Sequence, residues 1–140
     1  MRKAREVKVR DIVVGGDRLT VAAGPCVLDT FEEALMIART MKEYCAEFGF
    51  NYIFKASFDK ANRTSIKSYR GPGIEEGLAW LARIGHSADV PVVTDIHEPS
   101  QAAHAAQSVD LLQIPAFLCR QTDLLAAASR TGKPLNIKKA

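Results

Sequence analysis

The sequence predicts an α/β protein in which parallel strands alternate with helices. Two observations carry that prediction: short apolar runs recur between amphipathic segments, and polar or charged residues recur where the runs end. Strands separated by a helix-length segment pair in parallel, because the crossover returns the chain to the same end of the sheet. Lys55, Asp95, Gln113 and Lys138 all fall at or just beyond the C-terminal ends of predicted strands. A barrel assembles its site from several such strand ends, whereas an open doubly wound sheet concentrates it at one switch point. Periodicity alone leaves both architectures open.

The elements follow in order. Val7 to Val14 reads as a strand, Gly15-Gly16-Asp17 as a turn and Leu19 to Ala23 as a second strand. Together they predict an N-terminal hairpin, with residues 1–18 as its region, within a single domain of residues 1–140. Thr30 and Glu33 have the spacing of a capping box. Ala34, Leu35, Ile37, Ala38, Met41, Cys45 and Phe48 then recur at helical spacing, and Gly49 supplies the stop. Tyr52 to Lys55 is a short strand, and Ile74 to Ile84 a helix. Val90 to Thr94 is the next strand, and Pro99 suits the first turn of a helix that runs to about Ser108. Leu111 to Ile114 is a strand, Thr122 to Thr131 a helix stopped by Gly132, and Leu135 to Lys138 a further strand.

Composition narrows the function. The 140 residues are 47% hydrophobic, enough for a globular core. Nineteen Lys and Arg against 16 acids give a formal net charge of +3, too mild for a nucleic-acid partner. No long apolar run is present and MRKAREVKVR has no apolar signal core, so the sequence predicts neither membrane insertion nor secretion. Cys26, Cys45 and Cys119 are odd in number and widely spaced, which predicts free thiols in a reducing cytoplasm.

The cations gather in one place. KASFDKANRTSIKSYRGPG, from Lys55 to Gly73, sets Lys55, Lys60, Arg63, Lys67 and Arg70 among Ser57, Asn62, Thr64, Ser65 and Ser68. Ammonium and guanidinium groups give charge-assisted hydrogen bonds to phosphate or carboxylate oxygens, and hydroxyls and amides add neutral donors. The competing reading of such a run is a solvated basic loop. Interleaved donors, two glycines and a position after a strand favour a site for a small anion.

The same segment resembles the signature of 3-deoxy-D-manno-octulosonate 8-phosphate synthase. Matching blocks are AGPCVLDT at Ala23 to Thr30, TDIHEPSQA at Thr94 to Ala102, LLQIPAFLCRQTDLL at Leu111 to Leu125, and NIKK at Asn136 to Lys139. They are collinear over almost the whole chain. The resemblance implies a (β/α)8 barrel, which takes roughly 250 residues, so the chain is expected to be its N-terminal portion, truncated after about the fifth strand, with the bare Ala140 in mid-strand context. It implies a transferase of lipopolysaccharide sugar synthesis that joins phosphoenolpyruvate to arabinose 5-phosphate. It further implies phosphorylated small-molecule substrates and a homo-oligomer, a tetramer in the family.

The match also implies residue roles. Lys55, Ser57, Lys60, Gln113, the Ala116 backbone and Lys138 resemble phosphoenolpyruvate ligands. Asn62, Arg63 and Thr64 resemble the clamp on the sugar phosphate, with Thr64 where the family usually has serine. Asp95 is assigned to the bound sugar and to catalysis. Lys60 is expected to polarise the reacting groups, and a lysine beside other cations can also move a proton. His97 receives no role, and Glu98 before Pro99 is expected to cap a helix. His86 and His104 read as helix-end or surface residues.

Unaided, Cys26 reads as a small buried hydrophobe. By resemblance it matches the ligand of the family's metal-dependent class, which implies zinc, iron, cobalt or manganese, with His, Glu and Asp ligands expected after Ala140. Cys45 reads as core, and Cys119 has no role. Two alternatives stand beside this reading. One is the related synthase that uses erythrose 4-phosphate; the other is a non-catalytic phosphate-binding domain.

Overall fold

The protein's structure, a computed structural model, describes residues 5–139. Met1 to Ala4 of the expected hairpin region, and Ala140, lie outside the described residues. Five strands form one parallel sheet: β3 (Thr20–Val27), β4 (Asn51–Ser57), β5 (Val92–Asp95), β6 (Leu111–Ile114) and β7 (Leu135–Ile137). They lie side by side in chain order, β3-β4-β5-β6-β7. A helix follows each of the first four: α1 (Phe31–Glu47), α2 (Ile74–Ala88), α3 (Pro99–Ala106) and α4 (Thr122–Arg130). Sequential order without a reversal is barrel topology, not that of a doubly wound sheet. The expected (β/α) architecture therefore holds for these strands.

Alternation along the strands sorts the two faces. Tyr52, Phe54 and Ala56 of β4, Val92 of β5, and Leu112 and Ile114 of β6 join Ala38, Leu81, Ala105 and Leu124 from the four helices in one buried cluster. Burying a side chain as large as Phe54, fully enclosed, contributes about 1.5–3 kcal/mol. Ile53, Val93 and Leu111 point the other way and pack with Val9 in a second cluster.

That second cluster explains the one correction to the element order. The predicted single strand Val7 to Val14 is itself a hairpin, β1 (Val7–Val9) paired antiparallel with β2 (Ile12–Val14). Val9 faces Ile12 across a two-residue turn in which Arg10 takes φ 51°. The predicted partner, Leu19 to Ala23, instead belongs to the parallel strand β3. Burial decides this pairing, since folding back at Arg10 sets Val9 wholly inside, against the sheet's inner face. Arg10 Nη2 holds the turn to Asp89 Oδ1 at 3.1 Å.

The helix signals read from sequence are present. Thr30 Oγ1 accepts from the Glu33 backbone N–H at 3.3 Å at the start of α1, and Gly49, at φ 70°, follows its C-cap. Pro99 opens α3, with Glu98 as its N-cap. Gln101 Oε1 accepts from the backbone N–H groups of His97 and Glu98 at 2.8 and 3.3 Å, its half of a capping box with Glu98.

Strand β3 runs past the predicted Ala23 to Val27 through a register shift between Ala23 and Cys26. At this bulge a methyl group on Gly24 would collide with the Lys55 carbonyl oxygen. Backbone gives way less easily than a side-chain tip, so Gly24→Ala is expected to destabilise the fold by about 1–3 kcal/mol. A denaturant midpoint shifted down at unchanged slope will show it; an unshifted midpoint counts against the close approach.

Candidate functional site

The inner face carries two kinds of residue along each strand. Ile53 on β4 and Val93 on β5 belong to the apolar cluster near the strand starts. Two residues on, the same face presents Lys55 and Asp95, and Gln113 follows Leu111 on β6. Period-2 alternation thus places a polar layer directly above an apolar floor. Above it opens a cleft of about 570 Å³ at the strand C-terminal ends.

Nine of the eleven candidate residues line this cleft. Lys55 and Ser57 come from β4, Lys60 and Asn62 from the loop after it, Asp95 and Gln113 from β5 and β6. Cys26 enters from the β3 bulge, Ala116 from the turn after β6, and Lys138 follows β7. Arg63 and Thr64 are not on its wall: both are exposed in the loop, and Arg63 Nη2 donates to the Tyr69 carbonyl at 2.7 Å.

Asp95 is the hub of the layer. Its Oδ2 accepts from Ser57 Oγ at 2.5 Å and from Lys55 Nζ at 3.3 Å, and its Oδ1 accepts from Gln113 Nε2. Burial pushes the Asp95 carboxyl up, but Lys55, Ser57 and Gln113 together outweigh it and hold it below the usual carboxylate range. Lys55 also donates to Ser57 Oγ at 2.9 Å and to the Cys26 carbonyl at 3.3 Å. An ammonium has three donors, and protein acceptors engage all of them. Lys55 therefore organises the layer, and a ligand must displace one of these contacts to reach it.

Lys60 and Lys138 differ. Among the described residues neither has a carboxylate partner. Lys60 Nζ lies 2.7 Å from Cys26 Sγ, and this hydrogen bond is the main reason the Cys26 thiol is pushed down from its ordinary value. Cys26 is exposed and holds φ 66°, a backbone conformation rare outside glycine. The bulge that forces it turns the sulfur towards the cleft. The basic loop is anchored at its base, where Arg70 forms a two-pronged pair with Asp59 at 2.7 and 2.5 Å and its carbonyl accepts from the Lys60 backbone N–H at 2.6 Å.

Some cleft residues escaped the sequence reading. His97 lines the wall, its ring edge-on to Phe58 at 6.2 Å between centroids. Burial lowers its pKa, which favours the neutral imidazole. It lies two residues past the end of β5, where strand parity no longer sets the face of a side chain. Phe117, 76% exposed, stands at the rim. Asn136, quoted above only as part of NIKK, joins the layer through Gln113. Cys45 is buried as expected, and His86 is an exposed residue in the last turn of α2. His104 sits 3.6 Å from Glu75.

A divalent metal fits these residues in part. Cys26 offers a thiolate-favoured sulfur on the cleft wall, the form in which cysteine ligates. Among the described residues no group of three His, Cys, Asp or Glu converges to hold an ion.

Comparison with known proteins places the chain. It is 56% identical over 130 residues to the 2-dehydro-3-deoxyphosphooctonate aldolase of Desulfotalea psychrophila, covering 92% of this chain and 46% of that protein. It is 57% identical over 135 residues to the protein of the same name from Fusobacterium nucleatum, covering 96% and 49%. A third, from Koribacter versatilis, is 53% identical over 132 residues, covering 94% and 48%. The chain spans about half the length of the curated relatives it matches. Residues 3–140 match the family described as DAHP synthetase I. With that match over nearly every residue, and a polar layer set at the ends of sequentially ordered parallel strands, the chain belongs to the DAHP synthetase I family.

Proposed function

We propose that the chain is part of a transferase that condenses phosphoenolpyruvate with D-arabinose 5-phosphate, giving 3-deoxy-D-manno-octulosonate 8-phosphate and inorganic phosphate for lipopolysaccharide sugar synthesis. The observation that carries the reading is the cleft itself. Lys60 and Lys138, neither ion-paired among the described residues, flank a layer whose remaining charges, Lys55 and Asp95, offset each other. Relatives over 50% identical are named 2-dehydro-3-deoxyphosphooctonate aldolase.

In this reaction C3 of phosphoenolpyruvate bonds to the C1 aldehyde carbon, water adds at C2, and phosphate leaves with C–O cleavage. Cations fixed before the reaction stabilise the charge that develops, without reorganising at that moment. Lys60 and Lys138 hold the carboxylate and phosphate of phosphoenolpyruvate, with Lys55, Ser57, Gln113 and the Ala116 backbone beneath and beside them. Lys60 polarises the aldehyde oxygen and delivers a proton to it. Asp95 accepts from a sugar hydroxyl. Asn62, Arg63 and Thr64 receive the sugar phosphate when the loop closes on it; Arg63 must leave the Tyr69 carbonyl to do so. Cys26 is one ligand of a divalent zinc, iron, cobalt or manganese ion, which supplies Lewis-acid polarisation of oxygen when bound. The enzyme works in the cytoplasm as a homo-oligomer, a tetramer, without nucleic-acid partners. Among the described residues no helix is long and apolar enough to cross a membrane.

The family description keeps one second reading in play, the synthase that takes erythrose 4-phosphate instead. Phosphate release by the full-length protein, measured with phosphoenolpyruvate and each sugar phosphate in turn, decides between them. Release is expected with arabinose 5-phosphate. Release with erythrose 4-phosphate alone, or saturable binding with no release, refutes the proposal. A chelator is expected to abolish release and added metal to restore it. Cys26→Ser is expected to lower the metal retained after gel filtration; unaltered retention removes Cys26 from the ligand set.

A further inference from the structure

Gln113 is in register with Asp95 on one side and with Asn136 on the other, across three adjacent strands. Neighbouring strands lie about 4.8 Å apart and register partners share a face, so short amide side chains can bond laterally. Asn136 Nδ2 donates to Gln113 Oε1 at 2.8 Å, and Gln113 Nε2 donates to Asp95 Oδ1.

The direction of this chain is forced from the Asp95 end. An ionised carboxylate only accepts, so Gln113 must turn its NH2 group towards Asp95. Its carbonyl oxygen then faces β7 and needs a donor there. Gln113 is only 7% exposed, so water is a poor substitute. A primary amide is nearly symmetric in shape. Without a donor on β7 that oxygen is left unpaired, and the side chain can tilt towards solvent and loosen its hold on Asp95.

We infer that Asn136 is a positioning residue that acts through Gln113: it locks the Gln113 amide in the orientation that holds Asp95 and leaves the second Nε2 hydrogen for a ligand in the cleft. The kinetic side of this inference rests on the condensation proposed above. Aspartate at 136 keeps the shape of asparagine but donates nothing to Oε1, so donor and packing roles separate.

In the full-length protein, Asn136→Ala and Asn136→Asp are each expected to raise the KM for phosphoenolpyruvate about tenfold, the worth of one partly enclosed hydrogen bond. Both variants are expected to melt cooperatively. In a Gln113→Ala background, Asn136→Ala is expected to change KM less than about twofold, because its only route of action is gone. Full additivity in that background overturns the inference, as does Asn136→Asp with the wild-type KM. A second arm needs no turnover. The two Gln113 side-chain amide protons, observed by 15N NMR, are expected to be widely split in the wild type and to converge or broaden in Asn136→Ala. Unchanged Gln113 signals overturn the inference. If the wild type fails to turn over phosphoenolpyruvate with arabinose 5-phosphate, the proposed reaction falls, and the amide spectrum alone then decides the role of Asn136.

Discussion

Asp95→Ala is expected to reduce turnover of the full-length protein by at least about a thousandfold and to cost the fold about 3–5 kcal/mol. The stability loss follows from what remains behind. Lys55 and Asp95 have side chains only 17% and 14% exposed, and removing the carboxylate strands an ammonium with no opposite charge beside it. Ser57 loses its acceptor and Gln113 its anchor in the same step. Denaturant titration and kcat/KM, measured on one preparation, check both halves; a stable and active Asp95→Ala variant would remove Asp95 from the centre of the site. The pH dependence has a definite sign. The folded-state pKa of Asp95 is depressed, so its contribution is complete above the ordinary carboxylate value of about 3.9 and is lost as pH falls through the lower folded value. Asp95→Asn is expected to lack that part of the acid transition.

A polypeptide limited to these 140 residues is expected to show no phosphate release and to self-associate. Among the described residues β3 and β7 each have one paired neighbour in the sheet, leaving an unpaired edge on the other side. Such edges are templates for pairing with another chain. Apolar side chains stand open as well, with Phe117 76% and Ile137 48% exposed. On the proposed reading Cys26 alone of the described residues ligates the metal, so release is expected to fail. Sedimentation at several concentrations and binding of a hydrophobic dye test the self-association, and a phosphate assay tests the absence of turnover. A monomer that melts cooperatively and turns over both substrates would refute the expectation.

Much of this was legible in the chain. The alternation of strand and helix was written in hydrophobic period and in particular caps, Thr30, Gly49 and Pro99 among them. Lys55, Asp95 and Gln113 announced the polar layer by falling at strand ends, because a side chain's face in a strand depends only on parity. The hairpin was misread because Val7 to Val14 is apolar enough for one long strand. The turn at Arg10-Asp11 carries no glycine or asparagine to mark it, and only the burial of Val9 against Ile53, Val93 and Leu111 settles the fold-back. Asn136 was passed over for a similar reason. Its role depends on which strand lies beside β7 and in what register, a fact of pairing that no local pattern records. The motif that named Arg63 and Thr64 gave residue type but not position, since the path of an exposed loop leaves no periodic trace in its sequence.

The hairpin has a consequence for traffic through the molecule. With Val9, Ile12 and Val14 set against Ile53, Val93 and Leu111, the space beneath the polar layer is filled by apolar side chains, and over these strands the cleft has a floor. A solute that reaches Lys55 meets that floor below it and Lys60 and Asn62 beside it.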